Sequence, residues 1–158
     1  MVSVYLETSV ISYLAANPSS DLIIAAHQKL THDWWLHHRR KFALAISPVV
    51  EKEISLGDEK MARKRIDLIK GIRLLAVTPE TDKLAEILVK KGPLPRTADV
   101  DAIHISLAAV HGIEYLLSWN CKHIANVFIQ KDLTRIIQSQ GYECPVLCTP
   151  ESMLELNK

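Results

Sequence analysis

VYLETSVISYL, residues 4–14, is the stretch on which the fold turns: a short apolar run, a carboxylate at Glu7, then a longer apolar segment. Three further segments share its design. FALAISPVVEKEI (42–54) carries Glu53, ADVDAIHISLAA (98–109) carries Asp101, and YLLSWNCKHI (115–124) carries Asn120. In each, the polar residue stands where a strand gives way to a helix, or in the first turns of the helix that follows. An open parallel sheet gathers such points at one edge, in the crevice outside the carboxyl ends of its strands. Carboxylates crowded there raise one another's pKa unless a cation sits among them. The pattern therefore predicts a divalent-metal site.

Working outward, the apolar signal switches between short and long runs along the whole chain. Candidate strands are 2–6, 42–46, 72–77, 115–119 and 145–148, several of them nearly continuous in apolar residues, as strands covered on both faces are. Between them, residues 21–40 place Leu22, Ala26, Leu30 and Trp34 on one stripe. Residues 58–70 and 80–91 read as charged helices, the second opened by Thr78-Pro79 and stopped by Gly92-Pro93. Residues 97–111 form the most apolar helix and end at Gly112. Strands alternating with helices imply βαβ units with right-handed crossovers. The expectation is an α/β protein: a three-layer α/β/α sandwich around a mostly parallel sheet of about five strands, in one domain over residues 1–158.

Composition narrows the function classes. With 158 residues, 48% of them hydrophobic, the chain can bury a sizeable core. No stretch reaches the ~18 uninterrupted apolar residues of a membrane span, and MVSVYLETS lacks a basic region followed by an apolar one. A cytoplasmic protein with no membrane partner is expected. Cys121, Cys144 and Cys148 are odd in number and lack C-x-x-C spacing, which predicts free thiols rather than disulfides or a zinc knuckle. Net charge is +1, yet His37 to Lys41 and Lys60, Arg63, Lys64, Arg65 form two basic runs. Clusters of this kind bind phosphate backbones, and a solvated helix face gives the same pattern. Trp34 and Trp35 beside Arg39 and Arg40 could stack RNA bases, but one of the pair belongs to the helix stripe, so packing in the core or at a dimer interface is the expectation.

The four segments, in this order and at these intervals, resemble the motifs of the PIN-domain family. VYLETSVISYL is similar to its opening strand, acidic residue, Thr or Ser and apolar helix. SPVVEKEI resembles the second motif, with Glu53 rather than Glu51 as its acid; DAIHISLAA resembles the third and LLSWNCKHI the fourth. The resemblance spans nearly the whole chain and implies the PIN-like fold and metal-dependent cleavage of RNA, with VapC-type toxins of toxin–antitoxin pairs among the relatives. It implies Mg²⁺ or Mn²⁺ held by Glu7, Glu53 and Asp101 directly or through water. Thr8 and Ser118 would offer hydroxyl contacts, and Asn120 would complete the catalytic set. RNA as substrate, an antitoxin protein and a homodimer are the partners it implies.

Two positions depart from the usual pattern. Glu7 stands where Asp is more common and pushes the carboxylate one methylene further into the pocket. Asn120 stands where Asp is common, and His123 occupies the place three residues later where an Asp often compensates. Three formal negative charges remain, which suits one loosely held ion, since Mg²⁺ is commonly bound through one or two carboxylates. These departures also support a second reading, a PIN fold that binds RNA or a protein without cutting. Simpler roles accompany each residue: Asp99 and Asp101 complement a helix dipole, and Asn120 caps a helix over 121–127. His104 and His123 read as hydrogen-bonded core or surface residues, not ligands. A phosphatase with an aspartyl nucleophile would need Asp-x-Asp where Glu7-Thr8-Ser9 stands, and a phospho-receiver an Asp that IRLLAVTPE (72–80) does not supply.

Overall fold

The computed structural model describes residues 1–155. Five strands, β1 (Ser3–Leu6), β2 (Ala43–Ile46), β3 (Arg73–Leu74), β4 (Tyr115–Leu117) and β5 (Val146–Cys148), form one sheet in the order β3-β2-β1-β4-β5. Every pairing is parallel. β1 lies at the centre, with Tyr5 opposite Ala45 on one side and Leu116 on the other. Val4, Tyr5 and Leu6 are all fully buried, which is why this strand shows no alternation: helices cover both of its faces.

The helices are α1 (Thr8–Ala15), α2 (Leu22–His37), α3 (Pro48–Ile54), α4 (Glu59–Leu68), α5 (Pro79–Lys90), α6 (Asp99–Val110), α7 (Val127–Ser139) and α8 (Pro150–Glu155). α1 packs against α2, α3 and α4, and α2 against α8; α5 packs against α6 and α7. Right-handed crossovers place those two groups on opposite faces of the sheet. The expected three-layer sandwich is observed, and its sheet is wholly parallel.

Three details differ from the sequence reading, and one choice it left is decided. The third strand is two residues long rather than six. Leu75 still donates to the Ile46 carbonyl at 2.8 Å, but the chain then leaves the sheet edge for Thr78 and Pro79, which start α5 through a reciprocal Thr78–Thr81 capping box. The helix expected over 121–127 is a series of turns, and α7 begins only at Val127, capped by Asn126. The choice decided is that of Trp34 and Trp35, for which core or dimer interface was expected: both lie in the core, Trp34 stacked near Phe42, while Arg39 covers the Trp35 ring at 4.3 Å. Neither ring is presented for stacking RNA. Arg65, from the second basic run, donates to the Ile54 and Leu56 carbonyls and ties α3 to α4.

The core is one continuous cluster running from β1 through both helical layers. No helix among the described residues is long and apolar enough to cross a membrane. The three cysteines are free, with Cys121 exposed. Burial pushes the Cys144 thiol up, and that of Cys148 up to about 12.

Candidate active site

The strand order reverses direction between β1 and β4, the place in a doubly wound sheet where ligands bind. Glu7 follows β1 directly and Ser118 follows β4. The Glu7 amide donates to the Leu117 carbonyl at 3.0 Å, so the two strand ends are fastened together. Glu7 is also the N-cap of α1, a role its sequence position did not disclose: Oε2 accepts the Ser9 N–H at 2.6 Å. The other oxygen, Oε1, accepts the Ser118 hydroxyl at 2.7 Å. The side chain is 6% exposed and makes no ion pair among the described residues. Its charge is met by two donors and by the positive end of α1.

Thr8, one residue on, turns its hydroxyl to Glu53 Oε1 at 2.7 Å. Glu53 comes from α3, whose start is fixed by Ser47 as N-cap and Pro48 in the first turn. The same Oε1 meets His104 Nε2 at 2.7 Å. Burial opposes ionisation of Glu53, but hydrogen bonds from His104 and Thr8 outweigh it, and the carboxyl titrates below its ordinary 4.5. At this residue the local donors decide the direction.

Asp101 lies in the first turn of α6, three residues before His104, on the same helix face. Its Oδ2 is 3.1 Å from His123 Nδ1. His123 belongs to the turns after β4, which Asn120 builds: Oδ1 accepts from the Lys122 and His123 amides at 3.2 and 3.0 Å. Capping by Asn120 therefore occurs, but it closes an Asx turn instead of opening a helix. The Asn120 amide in turn donates to Ser118 Oγ at 2.9 Å.

The six residues singled out from sequence fall into two hydrogen-bonded branches that meet where Thr8 follows Glu7 in the chain. One branch runs from Glu7 through Ser118, Asn120 and His123 to Asp101. The other runs from Thr8 to Glu53 and His104, which meets Tyr5 and Ser47 behind the site. Direct contact between the three carboxylates is not what unites them. Among the described residues no group of three His, Cys, Asp or Glu side chains is arranged to hold a metal ion. Sequence reasoning passed over His104, His123, Tyr5 and Ser47 as site residues. The only signal for His104 was its i+3 spacing from Asp101, and Tyr5 sits inside an apolar run that reads as core.

Among solved structures, the chain is similar to VapC20 of Mycobacterium tuberculosis, a toxin that cleaves the sarcin-ricin loop. That match has a TM-score of 0.59 and 18% identity, covering 89% of this chain and 96% of that one. It is similar to VapBC2 from Rickettsia felis, seen bound to a DNA fragment from its promoter (TM-score 0.54, 16% identity, 77% of this chain and 90% of the other). A toxin–antitoxin complex from Klebsiella pneumoniae matches at TM-score 0.54 and 19% identity, over 79% and 92%. This is the PIN-type fold of the VapC toxins. No protein-family model and no curated protein matches the sequence, so the likeness to VapC structures is one of fold. Within that fold, Glu7 and Ser118 stand at the carboxyl ends of β1 and β4, Thr8 opens α1, Asn120 lies in the turns after β4, Glu53 lies on α3 after β2, and Asp101 lies in the first turn of α6.

Proposed function

We propose that this chain, as one PIN-type domain over residues 1–158, is a divalent-metal-dependent endoribonuclease and the toxin half of a toxin–antitoxin pair. The observation that carries the reading is the buried Glu7 carboxylate at the sheet's switch point, bonded to Ser118 and in no ion pair among the described residues. Asp101 adds a hard oxygen donor on the same hydrogen-bonded branch, and Glu53 adds another on the branch that starts at Thr8, the next residue in the chain. No closed cage is built among the described residues, but Mg²⁺ and Mn²⁺ accept oxygen donors, and Mg²⁺ keeps several waters while using one or two carboxylates. Glu7, Glu53 and Asp101 would hold such an ion, in part through water. When bound, it would neutralise charge on a phosphodiester and make water a competent nucleophile at neutral pH.

The chain's own residues orient this set. Ser118 and the Ser9 amide fix Glu7, Thr8 and His104 fix Glu53, and His123 fixes Asp101 from a turn that Asn120 closes. An antitoxin protein belongs to the same reading, supported by the toxin–antitoxin complexes that share the fold, and an RNA substrate and a homodimer come to it from the family resemblance of the sequence. The test is cleavage of single-stranded and structured RNA in Mn²⁺ or Mg²⁺. Activity should vanish with a chelator and fall on Asp101→Asn. A protein that binds Mn²⁺ and RNA but cuts neither RNA class would instead be a binding module on a nuclease scaffold, the second reading, which the departures at Glu7, Asn120 and His123 also support.

A further inference from the structure

Behind Glu53 lies a row of buried polar groups that metal binding itself does not require. Ser47 Oγ is 2.7 Å from Tyr5 Oη, Tyr5 Oη is 2.7 Å from His104 Nδ1, and His104 Nε2 is 2.7 Å from Glu53 Oε1. Ser47 and Tyr5 are fully buried, and His104 is 1% exposed. Burying three polar side chains in a core is costly unless every proton finds an acceptor.

That requirement fixes the direction of the row. Ser47 Oγ already accepts the Val50 N–H at 3.3 Å as the N-cap of α3. Its own proton is therefore free to go to Tyr5 Oη, the tyrosine proton to His104 Nδ1, and the Nε2 proton to Glu53. Run the other way, from His104 to Tyr5 to Ser47, the serine proton has no acceptor among the described residues. Every bond in the first arrangement points at the carboxylate, and bonds aligned in this way polarise and strengthen one another. Thr8 donates to the same oxygen, Oε1. Oε2 receives no hydrogen bond from any described residue, on a side chain that is 37% exposed.

We propose that Ser47, Tyr5 and His104 form a one-way donor row that pins Glu53 by Oε1 and leaves Oε2 as the single face offered to a cation or to substrate. His104 is then a positioning residue, locked in the Nε2–H tautomer by Tyr5. The functional half of this rests on the nuclease reading above; the tautomer does not.

Two measurements on the full chain separate these parts. Nitrogen-15 NMR of the His104 ring should show one proton, on Nε2, with Nδ1 shifted by its bond from Tyr5 and changed on Tyr5→Phe. A ring protonated on Nδ1, or on both nitrogens, overturns the proposal whatever the protein's activity. Calorimetry with Mn²⁺ then compares H104L, which removes the donor, with H104Q, whose amide nitrogen reaches the place of Nε2. Outer-shell partners of this kind commonly contribute 10–100-fold, so H104L should weaken Mn²⁺ binding by about tenfold or more while H104Q restores most of it. A folded H104L that binds like the wild type overturns the proposal. If H104L does not fold, Tyr5→Phe serves in its place, with weaker binding expected and unchanged binding counting against the row. If the wild type neither binds Mn²⁺ nor cuts RNA, the nuclease reading fails, and the NMR result alone decides whether the row exists.

Discussion

Glu53 shows how far a single residue's chemistry depends on its neighbours. A half-exposed carboxylate on a charged helix would titrate as an ordinary acid; beside His104 and Thr8 it stays ionised to lower pH. A carboxyl depressed in the folded state adds stability above its unfolded pKa and gives it up as pH falls through the folded value. The stability of the wild type over Glu53→Gln should therefore be present at pH 6 and shrink as pH drops below the ordinary 4.5. Thermal melts of both proteins between roughly pH 3 and pH 6 check this, and a gap that stays constant would contradict it. The cysteines give a second test at the same scale. With Cys121 exposed and the thiols of Cys144 and Cys148 raised by burial, a thiol reagent at pH 8 should modify one cysteine quickly and the other two slowly, because the thiolate is the reactive form.

Elements are set by their ends. α5 begins at the Thr78–Thr81 box, where Thr81 is fully buried, and Thr78→Ala should cost about 1 kcal/mol in urea unfolding. Its other end is closed by Gly92, where a Cβ would come within 2.4 Å of the Leu88 carbonyl oxygen and 3.2 Å of Ile136. Gly92→Ala should destabilise by roughly 1–3 kcal/mol, since backbone cannot give way as a flexible side chain can. Such signals were legible in the sequence, because capping residues, Pro and Gly act within a turn of where they stand. The start of α7 was not. Asn126 and Asn120 are equally good caps as letters, and only the bonds from Asn120 to the Lys122 and His123 amides turn the chain back before a helix can begin.

For the molecule as a whole, the strand order is the fact that makes a site. Placing β4 beside β1 brings Ser118 to Glu7 across 111 residues of sequence. Of the two places expected for Trp34 and Trp35, the core takes both, and Leu36, Leu22, Ile23, Val127 and Phe128 are among the exposed apolar side chains of the described residues. Under the proposed reading, light scattering should report twice the 17.8 kDa of the chain, and a monomer at high protein concentration would remove the dimer.

The sequence by itself determined the alternation of strands and helices and the places where β1 hands over to α1 and β2 to α3. Apolar periodicity and cap residues are local, and each is read within a few positions. It also supplied Glu7, Thr8, Glu53, Asp101, Ser118 and Asn120 as candidates through their motifs. Tertiary structure alone decided what those residues touch. That Tyr5 and Ser47 stand behind His104, that His104 reaches Glu53 from α6, and that His123 meets Asp101 are pairings between strand and helix ends distant in sequence. No local pattern encodes them, because they follow from which strands lie side by side, and burial then obliges each polar group brought inside to find its partner.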